Sequence, residues 1–411
     1  VNIFSLLLDL TVGGIGGALA FLVGYQLLLA LLAWFAPQVT TLAADGSGAE
    51  SKFVILIPAH NEEVLLPALL ASLQQLAYPQ THYTVHVVAD NCQDRTAALA
   101  QAAGAVVHER FNTSAVGKGH ALQWLLGQIE EAHIPYDAAV IIDADSIVEP
   151  NFLTVMDAHL TQGAQVIQAH YAVRNPERSW VTRLRAAALT LVHYVRPLGR
   201  TMIGGSVGLK GNGMVFHRSI LMQHQWSGSV TEDIDYHMAL VLAGERVVFA
   251  ADAVVWAEMP GTLQGAYSQN MRWEQGRLQL AHQYIPRLLR STVRDLQHHH
   301  WRAAVVKLDS IMEHLIPPFA VLFGLMWVYL CIALLVPSPT GSGIVSFLFV
   351  GQCLYLLAGL RLAQTPRQTY WALGYVPIFL VWKLWLYGRI MVRNLLGREG
   401  QSWVRTARDE V

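Results

Sequence analysis

Charge and cysteine are what this chain has least of. Only 14% of its 411 residues are Asp, Glu, Lys or Arg, against 53% hydrophobic. The formal net charge is −1, which withholds the basic excess that nucleic-acid binding draws on. The three cysteines, Cys92, Cys331 and Cys353, are widely spaced and odd in number. They exclude both a disulfide framework and a Cys-rich zinc site. No internal repeat or low-complexity tract breaks the sequence. A mean hydropathy of +0.35 is high for a soluble enzyme. The length therefore reads as one soluble domain plus a bundle of membrane spans, rather than two soluble domains.

The apolar runs sit at the two ends. Ile3 to Ala36 is interrupted only by Asp9 and Gln26. It is too long for a signal-peptide core and lacks basic leading residues, so residues 1–40 are expected to be an uncleaved transmembrane anchor. Runs of spanning length return at His314–Val336, Gly343–Leu360 and Thr369–Val392. They define a transmembrane part at 314–395, followed by a polar tail at 396–411. Pro317-Pro318 is expected to kink the first of them. With the middle of the chain cytoplasmic, the link PSPTGS (Pro337–Ser342) falls outside, and the link with Arg361 and Arg367 falls inside, as the positive-inside bias asks. Three full crossings would leave Arg393, Arg398, Arg405 and Arg408 outside, against that bias. Lys383 and Arg389 point to a last run that lies partly at the interface or returns.

Between the ends the pattern alternates strand and helix. FVILIP, YTVHVV, AVVHER, AAVIID and QVIQAHY read as strands. EEVLLPALLASLQQL, DRTAALAQAAG and KGHALQWLLGQIEEA read as helices. Such alternation predicts an α/β domain, a mainly parallel sheet with helices on both faces. Ligands then bind beyond the carboxyl ends of the strands, where His60-Asn61, Asp90 and Asp143-Ala144-Asp145 fall. The domain is assigned to residues 50–277, joined to the anchor by a plain tether around Ala43–Ser51. In Arg178–Arg196 the apolar positions share one helical face, with Arg178, Arg185 and Arg196 on the other. Two readings stand for it: a helix in the headgroup layer or an ordinary helix on a soluble core. Residues 278–313 are assigned to interface helices, and His298–His300 are read as solvated.

Three motifs carry chemistry. Asp143 and Asp145, two apart at a strand end, can face one divalent ion, and Mg²⁺ or Mn²⁺ prefers such oxygen ligands shared with phosphates. Asp233, in Val-Thr-Glu-Asp, opens the helix IDYHMALVLAG and can be both cap and base. Gln269, Arg272 and Trp273 lie at i, i+3 and i+4, one helical face. They offer an amide, a guanidinium suited to a diphosphate and a flat indole for a sugar ring. Lys118, in Gly-Lys-Gly, can neutralise phosphate. GLKGNGM (Gly208–Met214) permits close backbone approach without being a P-loop.

The order FVILIPAHNEE, VVADNCQD, GKG, DAD, GNGM, TED and QNMRW resembles the membrane-integrated family 2 glycosyltransferases, among them cellulose, hyaluronan and poly-N-acetylglucosamine synthases. The resemblance implies a GT-A (Rossmann-like) fold and a nucleotide-diphosphate sugar donor, with UDP as the nucleotide, bound from the cytoplasm. It further implies a divalent metal, Mg²⁺ or Mn²⁺, and a place in the cell (inner) membrane. It sets His60, Glu62 and Asp90 near the nucleotide and Lys118 near the donor. Asp143 and Asp145 take the metal and diphosphate, and Asp233 is the base. Gln269 and Arg272 serve the diphosphate, Trp273 the acceptor. Lys210-Gly211-Asn212 falls where related synthases line the acceptor, which makes Gly211 and Asn212 acceptor candidates.

The expected reaction is an inverting transfer to a hydroxyl of a growing polysaccharide. Single-sugar transfer to a lipid or polyprenyl-phosphate acceptor uses the same residues. A glycosidase also uses paired carboxylates but leaves Arg272 unexplained. A transporter accounts for the spans but not for the polar crevice. An accessory membrane subunit is a further partner to consider, because the spans are fewer than larger synthases use for a channel.

Overall fold

The computed structural model describes residues 3–37, 50–226, 231–336 and 339–395. Residues 43–49 of the tether, Val230 of the VTED run, Pro337 and Ser338 of the PSPTGS link and the tail at 396–411 lie outside the described residues. The chain opens with α1 (Ile3–Trp34) and then builds one eight-stranded sheet. Its strands are β1 (Phe53–Ala59), β2 (Tyr83–Asp90), β3 (Val106–Arg110), β4 (Ala138–Ile141), β5 (Ser146–Val148), β6 (Val166–Val173), β7 (Met214–His217) and β8 (Val247–Ala257). They lie in the order β3-β2-β1-β4-β7-β6-β8-β5.

The first four strands in that order run parallel, as the alternation predicts. Beyond β4 the sheet turns mixed. β7 is antiparallel to both β4 and β6, β8 is parallel to β6, and β5 closes the edge antiparallel to β8. β1 shows why the centre is stable. Phe53, Ile55 and Ile57 enter the core under α2 (Leu66–Leu73) and α5 (Phe152–Thr161), with Ala100 of α3 (Thr96–Ala102). Val54 and Leu56 point the other way, under α4 (Lys118–Glu131). Strict alternation on a strand covered on both faces gives the near-continuous apolar run that the sequence displays.

A helical half follows. α6 (Trp180–Thr190) passes through a π-helical turn at Leu191–Val195 into α7 (Arg196–Met202), and α8 (Arg218–Gln223) leads to α9 (Glu232–Ala243). α10 (Leu263–Gln297) is one helix of 35 residues. It crosses position 277 without a break, so the segment with the Gln-x-x-Arg-Trp pattern and the segment assigned to the interface are one rod. α11 (Trp301–Leu315) meets α12 (Phe319–Leu335) at a bend of 72°. The run read from His314 is thus divided. Pro317 forces Ile316 to an extended ψ of 111°, and neither proline offers an N–H to continue the ladder. α13 (Pro339–Leu362), α14 (Arg367–Ala372) and α15 (Val376–Leu395) complete the chain. The segments Leu8–Trp34, Gly343–Leu362 and Arg367–Val392 are long and apolar enough to cross a membrane, and the α11–α12 pair counted as one would add a fourth.

Candidate active site

The carboxyl ends of β1, β2 and β4 open on one side of the sheet and bring their following residues together. His60 leaves β1, and its Nδ1 lies 2.7 Å from the backbone oxygen of Asp90 at the end of β2. Asp90 is only 5% exposed. Its Oδ1 accepts from Arg110 Nη1 at 2.6 Å and from Asn91 Nδ2 at 3.1 Å. Glu62 lies in the turn before α2 rather than in its first turn, because the helix starts only at Leu66. Its backbone N–H donates to Thr96 Oγ1 at 2.8 Å.

Next to these, the acids gather around one ammonium. Lys118 opens α4 and donates to Asp143 Oδ1 and to the backbone oxygen of Gly211. Gly211 has φ +77°, and a Cβ there would lie 3.4 Å from Asp233 Oδ2 and 3.8 Å from Lys118 Nζ. A side chain at 211 would be strained by that φ, and its Cβ would lie in ordinary contact with both groups. Asp143, Lys118, Gly211 and Asp233 therefore share one spot, although 115 positions separate Lys118 from Asp233 in the numbering. Burial raises the pKa of Asp233 and of Glu232 beside it; the Asp233 charge adds to the rise at Glu232, and Lys118 opposes both. Burial would lower the Lys118 pKa, but Asp143, Glu232 and Asp233 more than offset this and raise it. Arg272 is lowered by burial, with Glu232, Asp143 and Asp233 opposing. The guanidinium thus belongs to the same electrostatic cluster.

α10 brings the last motif. Gln269, Arg272 and Trp273 all face a cavity of about 1390 Å³ that also takes in His60, Glu62, Asp90, Lys118, Asp143, Asp145, Gly211 and Asp233. Gly276, one turn further on, lets α10 close on the start of α9: a Cβ there would come within 2.4 Å of Thr231 Cγ2. This close approach holds the helix with Asp233 against the helix with Trp273.

One site residue needs correction. Asn212 is fully buried and does not line the cavity. Its Oδ1 accepts from the Asp143 N–H at 3.1 Å and its Nδ2 donates to Ser146 Oγ at 2.8 Å. Its backbone oxygen accepts from Gln168 Nε2 at 2.8 Å. A side chain so engaged has no contact left for an acceptor; it braces the Asp143–Asp145 turn. The basic side of Arg178–Arg196 also departs from both readings. Arg185 and Arg196 are buried. Arg185 reaches Gln269 Oε1 at 2.5 Å, and Arg196 Nε reaches Tyr355 Oη on α13 at 3.0 Å. Trp180 stacks on Tyr375.

Several residues that shape the cavity escaped the sequence reading. Lys383, inside the last apolar run, is buried and donates to Asn270 Oδ1 at 2.7 Å and Glu274 Oε1 at 3.1 Å. Tyr387 joins Glu274, and Arg277 Nη2 donates to Tyr387 Oη at 3.2 Å. A charge within a spanning run was the available signal, and its partner is the helix of the Gln-x-x-Arg-Trp motif. A second network runs from Tyr25 on α1 to Asp309, then through Arg200 to Glu313, which also accepts from Lys210 Nζ at 2.9 Å. It ties α1 and α11 to the loop that carries Gly211.

The family described as "Glycosyltransferase like family 2" matches residues 51–276, more than half of the chain, including the acid cluster and the Gln-x-x-Arg-Trp wall. The chain belongs to that family. A "Beta-monoglucosyldiacylglycerol synthase" of Synechocystis sp. is 27% identical over 230 residues, covering 54% of this chain and 47% of that protein. A "Probable glucomannan 4-beta-mannosyltransferase 3" of Oryza sativa subsp. japonica is 26% identical over 243 residues, covering 56% and 44%. Among solved structures, a mannosyltransferase from Pyrobaculum calidifontis in complex with GDP-Man and Mn²⁺ aligns over 84% of this chain and 99% of that chain, at 17% identity and a TM-score of 0.49. The chain spans about half the length of the curated relatives it matches. The narrower likeness to cellulose and hyaluronan synthases rests on the order of motifs alone.

In this family 2 chain the eight-stranded sheet is the GT-A fold. The donor set at its carboxyl ends fits a hard divalent ion. Asp143 and Asp145 offer carboxylate oxygens at the cavity wall, and the Lys118 ammonium already holds a positive charge against Asp143. Among the described residues no group of three or more His, Cys, Asp or Glu forms a ready cage. Two carboxylates plus phosphate oxygens is the way such ions are commonly held. Part of the same cavity's lining is apolar. Ile316, Phe319, Leu356, Val376, Phe379 and Leu380 form it, from α12, α13, α15 and the bend before α12.

Proposed function

We propose that this chain is an inverting, divalent-metal-dependent glycosyltransferase. It moves a sugar from a nucleotide-diphosphate donor to a hydroxyl on a lipid-borne acceptor, with its sheet on the cytoplasmic side of the membrane. One observation carries the acceptor: a single cavity is lined both by the Asp143–Lys118–Asp233 cluster and by apolar residues of the C-terminal helices. An amphiphile fits such a space with its hydroxyl at the acids and its chain among Phe319, Leu356 and Phe379.

The chemistry falls to residues already in place. Asp233 takes the proton of the acceptor hydroxyl as that oxygen attacks the anomeric carbon. The new carbon–oxygen bond forms on the face opposite the breaking bond to phosphate, and the nucleotide diphosphate leaves with the electron pair. A raised pKa suits Asp233 to this task, since a base works best near the operating pH. Arg272 stabilises charge on the leaving diphosphate, and Trp273 offers its face to a sugar. A divalent ion on Asp143 and Asp145 supplies Lewis-acid stabilisation of that diphosphate.

Extension of a polysaccharide is the second reading, favoured by the Trp273 indole in the cavity wall. The test is a panel of UDP- and GDP-sugars with Mg²⁺ or Mn²⁺, given diacylglycerol or an oligosaccharide in detergent, reading released nucleotide and product mass. One sugar added to lipid supports the first reading, and a ladder on oligosaccharide supports the second. No nucleotide release from any donor would remove both.

A further inference from the structure

Among the described residues, one buried arginine of the cavity wall has neither an ion pair nor a full set of hydrogen bonds. Arg185, on α6, is only 5% exposed. Its Nη2 meets Gln269 Oε1 at 2.5 Å and Met259 Sδ at 3.3 Å, both uncharged. Its Nη1 is buried and has no acceptor among the described residues. Burial lowers its pKa to about 10, with only Tyr171 opposing, so the guanidinium stays charged at neutral pH. Arg196, also buried in this wall, has no ion pair either, but its Nε donates to Tyr355 Oη at 3.0 Å and its guanidinium lies over that ring. Three other buried cations are paired. Arg110 meets Asp90, Arg200 meets Glu313, and Lys383 meets Glu274. A buried charge without a partner is costly, and an anion that arrives with a ligand offsets that cost.

The location narrows what the anion belongs to. Leu184, Ala187 and Ala188, neighbours of Arg185 on α6, line the cavity with it. Tyr171 feels Asp145, Asp143 and Asp233 as well as Arg185. The guanidinium therefore shares one cavity with the acid cluster and with apolar wall. We propose that Arg185 binds a phosphate carried by the acceptor lipid, so that the acceptor is an anionic amphiphile presenting a separate hydroxyl to Asp233. This rests on the glycosyltransferase reading above and narrows its acceptor to lipid phosphates. Phosphoglycerolipids and isoprenoid diphosphate sugars both have the required phosphate and hydroxyl.

The test is binding to the full chain in neutral detergent, without donor, followed by tryptophan fluorescence. The probes are dioctanoyl phosphatidylglycerol, farnesyl diphosphate and uncharged dioctanoylglycerol. Wild type should bind at least one phosphate amphiphile about tenfold or more tightly than dioctanoylglycerol, in keeping with a charge-assisted contact. The tighter of the two identifies the lipid class. Arg185→Met should erase the preference and Arg185→Lys should keep part of it. Equal affinities in wild type would overturn the proposal, and that comparison needs no variant to fold. Survival of the preference in a folded Arg185→Met would overturn it too. So would displacement of the phosphate amphiphile by UDP with Mg²⁺, which would assign the guanidinium to the donor. Nucleotide release is read separately. Transfer to diacylglycerol without any charge preference keeps the enzyme and sinks the anion site; charge-selective binding with no release from any donor does the reverse.

Discussion

Two sets of buried charge lie within one cavity wall and behave differently. Where α10 meets α15, Lys383, Glu274, Tyr387 and Arg277 satisfy one another. At the carboxyl ends of the strands, Glu232 and Asp233 sit side by side, and two cations, Lys118 and Arg272, face three acids. The first set is what a protein builds to fix helices in place, since each polar group has its complement. The second leaves negative charge in excess, which a fold tolerates where a metal and a substrate supply the remainder. Mutual satisfaction marks structure, and unbalanced charge marks the place of chemistry.

Substitutions can break that contrast. Asp233→Asn removes the base and should lower transfer by about 10²–10⁴-fold, with donor affinity unchanged by titration; retained turnover would end the assignment. Arg110→Met strikes a satisfied pair instead. It leaves the Asp90 carboxylate buried without its cation and should cost roughly 3–5 kcal/mol of stability in denaturant melts. Asn212→Ala unpins the Asp143 N–H and the Ser146 hydroxyl, for a loss of about 1–3 kcal/mol; an unchanged melt would show that the amide is not a brace. The smallest effect sharpens the comparison through pH. Asp233 must be ionised to accept a proton, so kcat/KM falls as pH drops through its pKa, and the rise by burial sets that limb above the ordinary aspartate range. Lys118→Met removes the cation that holds the Asp233 pKa down and should move the limb to higher pH. An unmoved limb would uncouple the ammonium from Asp233.

Much of the parallel half was legible in the sequence, because its signals are local. Alternating burial along β1 and acids just past strand ends follow from a covered parallel sheet, and the i, i+3, i+4 spacing of Gln269, Arg272 and Trp273 put them on one wall. The rest depends on tertiary partners. The short β5, and β7 and β8, disguised by the glycine-rich GNG and by a bulge at Ala169/His170, give the sheet its mixed half. Asn212 read as acceptor-lining because a glycine-rich stretch hides which way each side chain turns. Arg185 read as a solvated or headgroup cation because its helix is amphipathic by spacing alone; only Tyr171, Met259 and Gln269 around it show that it is buried. Lys383 disturbed the topology argument for lack of its partner Glu274, which lies 109 positions away in sequence.

The most direct measurement is product mass after incubation of the full chain in bilayer nanodiscs with a nucleotide-sugar panel, Mg²⁺ or Mn²⁺ and a lipid acceptor. A single hexose increment on the lipid, matched by nucleotide release and lost in Asp143→Asn and Asp233→Asn alike, is the predicted result. Lipid glycosylation that survives in either variant would contradict the claim that these two carboxylates act on one substrate in one cavity.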